Sequence, residues 1–180
     1  MKTVEIEESG VLEDEEKAHF GGTYSLWERL KMGGTGSSKI VYESGIDHFD
    51  QLDRGIANEL GFVSFEILKN GLILRLNRNQ RLRCVGVRLS ELEQIRLVAF
   101  RIELRYRRFN GYRTKIVHRG ELELLEVDGT SSRFSIFTQN FESLLQYFNR
   151  KELVSKLHYS ISELPPEKDY SNLLDFLGEL

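Results

Sequence analysis

The chain has one cysteine, two prolines and one tryptophan in 180 residues, and each scarcity excludes something. Cys84 alone can form neither an intramolecular disulfide nor a multi-cysteine metal site. The two prolines, Pro165 and Pro166, stand together near the end, so nothing upstream carries the residue that breaks strands and helices. No apolar run approaches the roughly 18 residues of a membrane-spanning helix. The opening, MKTVEIEESGVLEDEE, lacks the apolar stretch of a secretion signal. The expectation is a cytoplasmic protein, one folded domain with tails, that needs no cofactor.

Positive charge is scarce overall and abundant locally. The formal net charge is −3, yet residues 69–119 hold fourteen Lys or Arg, twelve of them Arg, against three acids. Residues 1–16 hold seven acids and one base. A near-neutral total therefore hides a strong local field. The sharpest concentration is RIELRYRRFNGYRTKIVHRG, residues 101–120, with seven bases and one acid around Asn110-Gly111.

Residues 1–38 read as an acidic tail and a Gly/Ser linker, partly disordered. Residues 1–22 are Glu-rich and low in aromatics, and GGTGSS at 33–38 interrupts any regular element. Between them, TYSLWERLKM suits a short amphipathic helix with Leu26, Trp27 and Leu30 on one side. Residues 39–60 read as a helical lead-in, with Ile46, Phe49, Ile56 and Leu60 at helical spacing and Ser44 placed to cap it.

From residue 60 the pattern changes to strands. In FVSFEILKNGLILRLN, Asn70-Gly71 separates two apolar runs, a strong hairpin signal. A two-residue turn there sets Glu66 opposite Arg75 and Phe65 opposite Leu76. A three-residue loop, Arg78 to Gln80, then brings Cys84 beside Leu74 as a small core residue. Ser90-x-x-Glu93 offers a capping box in the connector to a long fourth strand, whose alternating Val98, Phe100, Ile102, Leu104 and Tyr106 mark an inward face. Asn110-Gly111 reverses the chain with Leu104 opposite Val117, making a projecting hairpin with an apolar root and a cationic tip. ELELLEV and RFSIF form another hairpin across Asp128-Gly129. Asn140 is placed to cap a helix with Phe141, Leu144, Leu145 and Phe148 on one face, running to about His158. Residues 159–180 form an amphipathic extension ending in SNLLDFLGEL.

The predicted class is mainly β with a C-terminal helix (α+β). FEILKNGLILRL, the connector VRLSELEQIRL and RFSIFTQNFESLLQYF occur in an order that resembles pleckstrin-homology-like domains of the bacterial and GRAM type, over residues 60–158. The resemblance implies an antiparallel barrel of six to seven strands capped by one helix, and a role in binding phosphoinositides, peptides or proteins. Phosphoinositide-binding members carry Lys, a gap, then basic-x-Arg across the first hairpin. Here Lys69 and Arg75 are present, and Asn77 stands in place of the second basic residue of the pair.

The Arg-rich surface points to phosphate or carboxylate, which the planar guanidinium fork suits. The plainer reading is that outward strand positions must be polar and that Arg stems cover sheet edges. Candidate binding residues are Arg105, Arg107, Arg108, Arg113 and Lys115 on the hairpin, with Lys69 and Arg75. Asp47, His48, Asp50 and Asp53 have metal-ligand side chains at close spacing, but a helix points them apart, so a solvated face is the reading and no metal is expected. GGTGSSK lacks Walker spacing, and the four histidines show no nucleophile–base arrangement. The expected function is a non-catalytic binding or scaffolding module that engages an anionic partner, a protein foremost. A peripheral membrane or headgroup binder is the alternative, and an enzyme of unknown class the distant one. Nucleic acid is disfavoured; a homo-oligomer, through the apolar terminus, stays open.

Overall fold

The computed structural model describes residues 4–6, 13–50, 60–78, 81–108, 111–150 and 152–163, with backbone alone at 4–6, 78, 81, 102–108, 111–118, 138 and 163. The strands are β1 (Val4–Ile6), β2 (Ile40–Ser44), β3 (Phe62–Leu68), β4 (Gly71–Arg78), β5 (Arg81–Arg88), β6 (Leu92–Arg108), β7 (Gly111–Glu126), β8 (Ser131–Ile136) and β9 (Leu157–Glu163). Helices are α1 (Asp14–His19), α2 (Leu26–Lys31), α3 (Asp47–Asp50) and α4 (Phe141–Phe148). All nine strands join one sheet in the order β1-β5-β4-β3-β2-β8-β7-β6-β9. Neighbours are antiparallel except β6 and β9, which run parallel. The chain is thus mainly β, as its alternating patterns predict, but the sheet is open, with β1 and β9 at its edges, rather than the closed barrel of six to seven strands that the resemblance implies.

Both halves of the sheet bury one core. Phe65 of β3 meets Phe134 of β8 edge-on at 5.4 Å and Phe148 of α4 at the same distance. Phe141, Leu144, Tyr147 and Phe148 are buried, so the predicted apolar stripe of α4 does close the core. Phe141 needs space over β7, and Gly120 provides it: a Cβ there would lie 2.7 Å from the Phe141 ring.

Several sequence expectations are corrected. Residues 35–37 form no linker. Ile67 donates to the Thr35 carbonyl (2.9 Å), Ser37 donates to that of Phe65 (2.8 Å), and the Ser37 hydroxyl accepts from the Phe65 N–H, so the run lies alongside β3. It also holds α4, because Arg150 donates to the Gly34 carbonyl at 2.7 Å and Asn140 to that of Lys39 at 2.6 Å. That second bond diverts the Asn140 side chain from capping the helix. Residues 40–44 are strand rather than helical lead-in, and Ser44 ends β2 rather than capping a helix. The β-branched start of IVYES fills a place between β3 and β8. The reading of Ile56 lies outside the described residues. α4 ends at Phe148, not near His158, as Leu153 turns into the core and LHYSISE adds to β6.

Nor do residues 13–22 behave as a loose tail. α1 carries a Glu13–Glu16 capping box, and beyond it Phe20 is buried against Leu68, Ile73 and Cys84 on the outer face of β3, β4 and β5. Asn70 donates to the Phe20 carbonyl (2.8 Å) and Lys69 to that of Gly22 (3.3 Å). This docking explains the first hairpin. The observed register pairs Leu68 with Gly71 and Phe65 with Leu74, placing the turn at Lys69-Asn70, one residue earlier than predicted. Gly71 is needed under Phe20, where a Cβ would lie 2.4 Å from the ring. The β4–β5 register, Arg75 with Cys84, also differs by one residue from the expected pairing, so Cys84 is buried under Phe20 and not beside Leu74.

At the end of β7, paired with Leu92 just past the β5–β6 connector, Glu126 is 6 % exposed. Burial, then the nearby Asp128 and Glu91 carboxylates, push its pKa above the usual carboxylate range. A carboxyl whose folded pKa is raised binds protons more readily folded than unfolded, so stability falls as pH rises from the unfolded towards the folded value, and the penalty persists above it. Glu126→Gln is therefore expected to raise the melting temperature at neutral pH and to have little effect well below pH 4, about where an unfolded Glu titrates. Thermal melts across pH, with no gain at neutral pH, would refute this.

Candidate functional site: the β6–β7 arm

β6 and β7 pair without interruption from Gln94–Leu125 to Arg108–Gly111. Their flanking strands stop much sooner. β9 accompanies β6 only from Ile95 to Arg101, and β8 accompanies β7 only from Leu125 to Gly120. Among the described residues, then, 102–108 and 111–117 pair with each other alone and form a two-stranded arm beyond the sheet. At about 3.3 Å per residue the seven residues 102–108 extend roughly 23 Å. The projecting hairpin expected from the sequence is present. Its register pairs Leu104 with Lys115 and Ile102 with Val117, two residues from the expected Leu104–Val117 pairing.

The root corrects the inward face. Ile95, Leu97 and Ala99 are fully buried, opposite Leu124, Leu122 and Gly120, whereas Val98 and Phe100 are only partly buried. The expected alternation is present, but the opposite face points inward. Two equally apolar sets, 95-97-99 and 98-100-102, lie on opposite faces, and the set facing Phe141 of α4 is the buried one. The side chains of Ile102, Leu104 and Tyr106 lie outside the described set.

The seven candidate residues do not gather in one place. Arg105, Arg107 and Arg108 lie on the β6 side of the arm, with Arg113 and Lys115 across from them on β7. Lys69 is exposed in the β3–β4 turn, next to the β5–β6 connector, where Leu89 donates to the Asn70 carbonyl (2.9 Å). From Leu92, just past that connector, the strand runs roughly 40 Å to Arg105. Arg75 is already engaged: its guanidinium bonds Glu66 Oε2 at 2.7 and 3.2 Å and approaches Cys84 Sγ at 3.6 Å. The ion pair is the one expected, formed along the diagonal rather than directly across. The Cys84 thiol is pushed above its usual pKa by burial, which keeps it protonated.

Two surfaces escaped the sequence reading in whole or part. The outer face of β2, β8, β7 and β6 is concave, with a cavity of about 380 Å³ lined by Glu43, Arg96, Val98, Glu121, Glu123 and Arg133. Both of its arginines are paired to one acid: Arg96 meets Glu123 at 2.9 Å and Arg133 meets the same carboxylate at 3.5 Å. No local spacing could reveal it, because it is assembled from four strands. α2 was expected; its setting was not. A Ser25–Glu28 capping box starts the helix and leaves Leu26, Trp27 and Leu30 exposed by 63, 74 and 63 %.

Asp50 accepts a hydrogen bond from the Tyr42 hydroxyl at 2.6 Å, while Asp53 lies outside the described residues. Among the described residues no three His, Cys, Asp or Glu side chains converge as a metal site, and no helix is long and apolar enough to cross a membrane. No family model, curated protein or solved structure matches this chain.

Proposed function

We propose that this protein is a non-catalytic binding module whose β6–β7 arm engages an anionic partner, a protein foremost. One observation carries the reading: the most cationic stretch of an acidic chain is the stretch of strand that leaves the sheet. Residues 101–119 hold seven bases and one acid, and charge held away from an acidic body gives a local positive field that the net charge conceals. We also place the fold with the pleckstrin-homology-like domains. Seven consecutive strands, β2 to β8, run antiparallel with the first beside the last, and a helix follows directly; this order supports the placement.

Replacing Arg108, Arg113 and Lys115 together with Ser tests the arm. The melting temperature is expected to stay within a few degrees, because solvated charges usually contribute little to stability. Retention on heparin at low salt should fall sharply, with the difference between variant and parent shrinking as salt rises. Equal retention would place the functional surface elsewhere.

A peripheral membrane role is the second reading, favoured by α2. Its exposed Leu26, Trp27 and Leu30 adjoin Arg29 and Lys31, the composition of a segment that lies in a membrane interface. Trp27 is the only tryptophan, so its emission is a direct probe. On this reading phosphatidylserine vesicles shift the emission to the blue and Trp27→Ala abolishes co-sedimentation. An unshifted spectrum would remove the reading.

A further inference from the structure

The arm poses a backbone problem as well as a charge. A two-stranded ribbon is marginally stable alone in water, because each strand has only one paired edge. Beyond Gly120 the β8 side of β7 is open for residues 111–119, and beyond Arg101 the β9 side of β6 is open for residues 102–108, among the described residues. Each edge presents backbone N–H and C=O groups able to pair with an added strand.

The two edges differ in charge. The β6 side includes Glu103, and the chain leaves β9 at Glu163 on that side into a segment, 164–180, with four acids and one base. The β7 side carries Arg113, Lys115 and Arg119 and no acid. It is also the longer, nine residues or roughly 30 Å. We propose that the β7 edge, residues 111–119, accepts an extended acidic peptide as an added strand, in line with β8. Backbone pairing fixes the peptide's direction and register, and the arm's cations select its charge. The inference rests on the arm reading above and goes further: the partner is a peptide strand, not a polyanion of any backbone.

The test uses the intact, unaltered protein and three probes at low salt. They are a fluorescent octapeptide of alternating glutamate and threonine, the same side chains with every peptide nitrogen methylated, and heparin. Methylation leaves the charge and removes the N–H donors that a strand must offer. The unmethylated peptide is expected to bind at least tenfold more tightly than its methylated form and to slow amide exchange within residues 111–119. Equal affinity for the two peptides, or protection confined to β1, β9 or another edge, overturns strand addition. In that case retained heparin binding still leaves the anionic-partner reading standing. Failure of all three probes to bind overturns both.

Discussion

Gly45→Ala is expected to cost roughly 2–5 kcal/mol, the largest loss from removing or adding so little. Gly45 has φ +100°, a conformation that side-chain-bearing residues avoid. A Cβ there would also lie 2.1 Å from the Ser131 carbonyl oxygen and 2.9 Å from Ser132 Cα. Both obstacles are backbone, so no rotamer change relieves them. The close approach arises where β2 leaves β8: the pairing shifts between Tyr42 and Ser44, and the Ser132 hydroxyl donates to the Gly45 carbonyl at 3.4 Å. For a chain of this size the loss corresponds to a melting temperature lower by about 5–20 °C. A change under about 0.5 kcal/mol in urea titration would mean that β2 and β8 do not cross here as described.

Phe20 and Gly86 should show strong, sign-reversing coupling. A Cβ on Gly86 would lie 2.2 Å from the Phe20 ring, so Gly86→Ala overpacks the outer cluster and should cost about 1–3 kcal/mol. Phe20→Ala empties the same place and should cost about 3–5 kcal/mol. It should also make Cys84, now fully buried, react with thiol reagents. With Phe20 gone, the remaining close neighbour is Ile73 Cδ1 at 3.0 Å, a flexible chain end that can shift into the vacated space. Gly86→Ala then gains by restricting the unfolded chain, so in that background it should be neutral or stabilising by up to about 0.5–1 kcal/mol. Additive losses in the four-way comparison would show that the two positions do not touch.

These cases show what was legible in the sequence. Alternation announced strands, Asn-Gly and Asp-Gly announced reversals, and the Phe141-Leu144-Phe148 spacing announced the helix over the core. All of these are local signals. What failed depended on partners distant in the chain. Nothing near Asn70 says that Phe20 will lie on Gly71 and move the turn by one residue. Nothing near Val98 says which of two apolar faces α4 will cover. The acidic look of residues 13–19 concealed the single apolar anchor that follows them. For the candidate site, charge and projection were readable, while the scattering of Lys69 and Arg75 away from the arm needed the sheet order.

The place of β2 between β3 and β8 has a consequence for how the molecule is made. Val41 pairs with Val63's neighbour Phe62 on one side and with Ser135 on the other. During synthesis β3, β4 and β5 can form their meander as soon as they emerge, since each pairs with the strand just before it. β2 can gain only one of its two neighbours then. Its other edge waits for some ninety further residues to be translated, and at about 5–20 residues per second that takes several seconds or more. Throughout that interval a nascent chain offers an apolar, unpaired strand to any neighbour on the same messenger. The second half of the sheet is therefore the element that retires an aggregation hazard of the growing chain.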